Sequence, residues 1–146
     1  MTLISVNELA ERMADPEAAA DLLICDVRYY LADHSQGRRE YEAAHLPGAQ
    51  FVDLQSELAG GSGGGRHPLP EPAAFTSLLG RLGATPSTFV VAYDGAGGAT
   101  AARLWWMLRS IGHGQAAVLD GGYPAWVAAG HDVSTTPETR PATEYP

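Results

Sequence analysis

The sequence predicts an α/β fold, three layers in which a central parallel sheet of about five strands carries helices on both faces. Three observations predict it. Continuous apolar runs of four to six residues recur along the chain, helical periodicity fills the stretches between them, and glycine or proline marks nearly every junction, with 17 Gly and 10 Pro in 146 residues. An unbroken apolar run suits a strand covered on both faces, and strands alternating with helices require parallel pairing with helices packed on either side. At roughly 150 residues per domain, the length allows one domain.

The elements follow in order. Ser5-Val6-Asn7-Glu8 is a capping box that opens a helix from Val6 to Ala14. Leu22 to Val27 is a buried-type strand ending in the polar pair Asp26 and Arg28. Arg39 to His45 makes about two helical turns before Leu46-Pro47-Gly48, and Ala49 to Val52 is a short strand. Residues 59–70 are too glycine-rich for a regular element and read as a surface loop, either functional or a tolerated insertion. Glu71-Pro72 opens an amphipathic helix with Phe75, Leu78, Leu79 and Leu82 on one face, closed by Gly83. Thr88 to Tyr93 is a strand, Asp94 to Gly98 a turn, and Ala99 to Ile111 a helix with Leu104, Trp105 and Leu108 on its apolar face. Ala116 to Leu119 is the next strand, followed by the turn Asp120-Gly121-Gly122 and a helix from Tyr123 to Ala129. Leu3-Ile4 supplies a fifth strand. Residues 1–133 form the domain, and the Pro/Thr/Glu-rich segment 134–146 reads as an interdomain linker or disordered tail of a chain cut from something longer.

Composition excludes several functions. Seventeen acids against nine bases give a net charge of -8, a field unsuited to nucleic acid or an anionic membrane. One cysteine, Cys25, excludes an intramolecular disulfide and points to a reducing compartment. Glu8, Glu11 and Arg12 interrupt any signal peptide, and no run reaches the ~18 apolar residues of a membrane span, so a soluble cytoplasmic protein is expected. The histidines at 34, 45, 67, 113 and 131 never fall three or four apart, so no helix-borne metal pair forms, and neither metal nor cofactor is expected.

The richest candidate for chemistry is the turn Asp94-Gly95-Ala96-Gly97-Gly98-Ala99. Its amides and the following helix N-terminus favour an anion, yet Asp94 puts a negative charge at the head of the loop. Gly95-Ala96-Gly97 begins like a dinucleotide fingerprint, but Thr100 replaces its third glycine and the turn comes late in the chain. A phosphoryl-accepting Asp94 lacks a second acid two residues on, where Ala96 stands.

The pattern as a whole favours another reading. Cys25-Asp26-Val27-Arg28, Gly37 to Ala49 ending in His45-Leu46-Pro47-Gly48-Ala49, Val90 to Asp94, Ala102 to Trp106, and Val118-Leu119-Asp120-Gly121-Gly122-Tyr123-Pro124-Ala125-Trp126 together resemble the rhodanese family. The match is closest to the N-terminal domain of tandem thiosulfate and 3-mercaptopyruvate sulfurtransferases. The resemblance implies the rhodanese-like three-layer fold. It also implies a loop where the active members carry sulfur as a persulfide on a cysteine, and Asp94 stands at that position here. A carboxylate cannot form a persulfide, so the resemblance implies a non-catalytic domain partnered by a second rhodanese domain, with a small anionic sulfur donor used by the complete protein. A stand-alone binding or regulatory module is the alternative. Cys25, inside an apolar run, reads as core filling. His45 is either a helix cap, the favoured role, or part of a proton relay whose acid falls at Gln36 or Asp33. Arg28, Arg38, Arg39, Arg66 and Arg103 are candidates for facing a partner domain or an anion. Among them Arg66, in Arg66-His67-Pro68-Leu69-Pro70, resembles the family loop that approaches the second domain. Trp105, Trp106 and Trp126 read as core or interface packing.

Overall fold

The computed structural model describes residues 2–59, 70–95 and 97–146. Its elements are β1 (Leu3–Ile4), α1 (Val6–Ala14), α2 (Pro16–Ala20), β2 (Leu22–Asp26), α3 (Gln36–Ala43), β3 (Gln50–Phe51), α4 (Leu54–Glu57), α5 (Pro72–Arg81), β4 (Phe89–Tyr93), α6 (Ala99–Ser110), β5 (Ala116–Leu119) and α7 (Gly122–Ala128). The five strands form one sheet in the order β1-β5-β4-β2-β3, and every pairing is parallel.

Alternation along the strands builds two cores. Leu23 and Cys25 of β2, Val90 and Ala92 of β4, and Ala116 and Val118 of β5 face a cluster completed by α4, α5 and α6. Their neighbours Leu22, Ile24, Phe89, Val91, Tyr93, Ala117 and Leu119 face Leu9 of α1, Tyr41 of α3 and Trp126 of α7. Each fully buried Leu or Phe contributes about 1.5–3 kcal/mol relative to exposure, so the two cores together make the sheet a covered middle layer.

Several boundaries depart from the periodicity. The capping box at Ser5 and Glu8 is present, with both reciprocal bonds made. Asp15 then ends α1 and caps α2, its carboxylate accepting from Glu17 N–H at 3.0 Å, so a second short helix precedes β2. The helix expected from Arg39 begins at Gln36, and in its added turn Gly37 packs against the Arg28 carbonyl so closely that a Cβ there would stand 1.9 Å from the oxygen. The strand expected over 49–52 pairs with β2 only at Gln50 and Phe51. Asp53 caps α4, which the pattern did not show. Segment 134–146 lies along the domain, with Ser134 bridged to His45.

The chain runs from β2 outward to β3, then crosses back to β4 on the other side of β2 and onward to β5. The direction of winding therefore reverses between β2 and β4. Asp26 pairs with Tyr93 at the carboxyl end of both strands. Ligand sites of open α/β sheets lie at that position.

Candidate functional site

Two structures occupy this rim. The first is the turn after β4. Asp94 is 3% exposed, and its carboxylate folds back onto the loop and helix that follow. Oδ1 accepts the Gly98 N–H at 3.1 Å, and Oδ2 accepts the Ala101 N–H at 3.0 Å. The Thr100 hydroxyl lies 3.1 Å from Oδ2 and 2.7 Å from the Val27 carbonyl oxygen, tying the start of α6 to the end of β2. Gly98, at φ 92°, makes the turn into α6 in a conformation that favours glycine. The Asp94 carbonyl accepts the Tyr123 N–H at 2.9 Å, joining α7 to the same loop. The anion that the sequence anticipated in this cradle is thus the protein's own carboxylate. A dinucleotide would need the Ala101 and Gly98 amides that Asp94 holds, and a phosphoryl acceptor would need an exposed oxygen.

The second is a buried ionic network beside it. Arg28, 4% exposed, clasps Asp26, 0% exposed: Nε donates to both carboxylate oxygens at 3.1 and 3.0 Å and Nη2 donates to Oδ2 at 2.7 Å. Nη2 also donates to the Ala44 carbonyl at 2.6 Å, and the guanidinium carbon lies 4.3 Å from the Tyr123 ring centroid. Tyr93 donates its hydroxyl proton to Asp26 Oδ2 at 2.7 Å and accepts the Leu46 N–H at 3.2 Å. Burial alone would lower the Arg28 pKa, but the hydrogen bonds and charge of Asp26 outweigh it and raise it. Burial and the neighbouring Asp26 charge push the Tyr93 phenol well up, so it stays a proton donor. Tyr30 donates to Glu40 Oε1 at 2.6 Å, and burial with that bond pushes its phenol up to about 12. A shallow cleft of about 170 Å³ opens over the loop between Tyr29, Tyr30, Gly95, Gly97 and Thr100.

The other sequence candidates fall elsewhere. Cys25 is fully buried in the core facing α4 to α6, and burial together with Glu57 and Asp26 pushes its thiol up to about 12. His45 is fully buried and stacked on Tyr41 at 3.9 Å, with Nδ1 2.6 Å from the Tyr41 carbonyl in the last turn of α3 and Nε2 2.8 Å from the Thr136 carbonyl. The two positions considered for a relay acid are engaged away from it: Asp33 pairs with Arg39 at 2.6 Å, and Gln36 reaches Glu40 at 3.4 Å. Arg38 lies over the Phe51 ring, and Arg103 donates to the Leu58 carbonyl at 2.9 Å. Trp126 is core, Trp105 packs on the other core, and Trp106 is 51% exposed. Arg66 and Ala96 lie outside the described residues. Among the described residues, no group of three or more His, Cys, Asp or Glu could hold a metal ion. No helix among them is long and apolar enough to cross a membrane.

In sequence Tyr93 carries only the signal of a strand residue, and Thr100 stands where a dinucleotide fingerprint has its third glycine, so neither role is legible there. The available signal was Asp26 and Arg28 two apart at a strand end, a spacing that puts both side chains on one face.

The model of the rhodanese-like domain matches residues 5–129. The chain belongs to this family. Its relatives include a probable 3-mercaptopyruvate sulfurtransferase of Pseudomonas aeruginosa, 42% identical over 132 residues, covering 88% of this chain and 45% of the relative. Thiosulfate/3-mercaptopyruvate sulfurtransferase 2 of Arabidopsis thaliana is 40% identical over 135 residues, covering 92% of this chain and 38% of the relative. Among solved structures, the 3-mercaptopyruvate sulfurtransferase from Leishmania major superposes with a TM-score of 0.85 at 32% identity, covering 99% of this chain and 40% of that one. This rhodanese-like domain therefore spans about half the length, or less, of the curated relatives it matches.

Proposed function

We propose that this rhodanese-like domain is the non-catalytic, N-terminal half of a tandem cytoplasmic sulfurtransferase. The complete protein would move a sulfane sulfur from thiosulfate or 3-mercaptopyruvate to a thiophilic acceptor such as cyanide or a thiol. The observation that carries this reading is the placement of Asp94. At the position where the family resemblance puts the sulfur-carrying cysteine stands a carboxylate, already bonded to the loop and helix amides that would stabilise a thiolate or persulfide. Forming a persulfide requires a sulfur nucleophile, and Asp94 offers only oxygen. The one thiol, Cys25, is fully buried and held protonated. The coverage of about half of each relative supports a second domain carrying the cysteine. The contribution of this half is then to complete and shield the cleft in which that domain works.

The experiment is sulfur transfer by the isolated chain. With cyanide as acceptor and thiosulfate or, separately, 3-mercaptopyruvate as donor, thiocyanate release is expected at background. Release clearly above background that survives Cys25→Ser would overturn the reading.

A further inference from the structure

Segment 134–146 has the composition of a free tail, yet it is anchored at both ends and in the middle. Ser134 exchanges two backbone hydrogen bonds with His45, at 2.8 and 2.9 Å, and the Thr136 carbonyl faces His45 Nε2. Arg140 donates to the Leu22 carbonyl at 2.6 Å and the Ala20 carbonyl at 2.9 Å, at the start of β2. The Thr143 N–H donates to the Gly80 carbonyl at 2.8 Å, and its hydroxyl donates to the Ala84 carbonyl. Tyr145 Oη lies 2.6 Å from Nδ1 of the buried His113, whose Nε2 lies 2.8 Å from the Thr88 carbonyl just before β4.

The domain surface is shaped to receive this segment. Gly80 sits inside α5, where intrinsic preference favours alanine. A Cβ at Gly80 would stand 2.5 Å from the Thr143 carbonyl oxygen. A Cβ at Gly83 would stand 2.7 Å from Arg140 Cβ and 3.0 Å from the Pro141 carbonyl oxygen. Both glycines thus leave room where the segment crosses.

The first anchor also touches the rim. His45 lies between Ala44, whose carbonyl accepts Arg28, and Leu46, whose N–H donates to Tyr93. We propose that residues 134–146 are a brace of this domain, seated in a groove built for it along α5, and that its docking at His45 positions the rim bearing Arg28, Tyr93 and Asp94. The brace works whether or not the domain belongs to a tandem enzyme, since no step of it depends on sulfur chemistry. It is a conformational device: whatever pulls on the segment reaches the rim through His45.

Amide hydrogen exchange on the full 146-residue chain tests this. Gly80→Ala should raise exchange of the Thr143 amide at least tenfold while the amides of α5 keep their protection, and Arg140→Ala should act in the same direction without altering α5. Ser134→Pro, which removes the N–H donated to His45, should raise exchange of the Leu46 amide several-fold. Unchanged Thr143 protection in both Gly80→Ala and Arg140→Ala would overturn the groove. An unchanged Leu46 amide in Ser134→Pro would overturn the link to the rim.

Discussion

Arg28 and Asp26 show how a buried charge pair constrains single residues. Both are nearly or fully buried, and Asp26 takes bonds from Arg28 and Tyr93 together. Such a pair adds little net stability against an apolar substitute, but removing one partner strands the other charge away from water. Arg28→Ala is therefore expected to destabilise the domain by about 3–5 kcal/mol, measured by urea unfolding, because Asp26 loses its counterion. A loss under about 1 kcal/mol, the range of exposed ion pairs, would mean that the pair is solvated. The exposed pair Asp33–Arg39 carries no comparable expectation, with side chains 45% and 58% accessible. At this scale the sequence marked Asp26, Arg28 and Asp94 as rim groups because charges at strand ends break an apolar pattern. Which atoms they hold was not legible, since the partners Ala44, Leu46 and Tyr93 come from other elements, and only the folded register brings them together.

At the scale of elements, α6 depends on the loop that precedes it. Gly98 at its N-terminus has no side chain to cap with, and Asp94 supplies the oxygens from four residues upstream. Asp94→Ala leaves the Gly98 and Ala101 amides without their acceptor and is expected to cost about 1–3 kcal/mol, with loss of exchange protection confined to the first turn of α6. Protection unchanged at Ala101 would show that water or the backbone replaces the carboxylate. The helices α5 and α6, with their apolar faces, are legible from periodicity, α1 from its capping box at Ser5 and Glu8, and the three central strands as unbroken apolar runs. The short helices α2 and α4 were not, because four or five residues are too few to show a period and each is started by an Asp cap. The two-residue β3 reads too long in sequence for a related reason: Ala49 and Val52 flank it, buried and apolar, and of the two Val52 gives the sheet only its N–H, donated to the Asp26 carbonyl at 2.9 Å.

At the scale of the molecule, the order of motifs along the chain was more informative than any one of them. A glycine turn after a strand is common to several ligand classes, and the turn alone left nucleotide, phosphoryl and sulfur chemistry open. The neighbouring segments around His45 and Asp120 pointed to the rhodanese-like family, which the match over residues 5–129 shows. The docking of 134–146 is invisible in composition, because it uses backbone bonds and the polar side-chain groups of Arg140, Thr143 and Tyr145 instead of an apolar face. The functional account rests on the claim that the loop is an anion cradle filled by its own carboxylate. Titrating the thiol of Asp94→Cys tests that claim most directly, in a chain whose own thiol, Cys25, is fully buried and pushed up to about 12 by that burial. The account predicts a new thiol with a pKa well below the ~8.5 of a free cysteine, stabilised as thiolate by the Gly98 and Ala101 amides. A pKa at or above ~8.5 would contradict it.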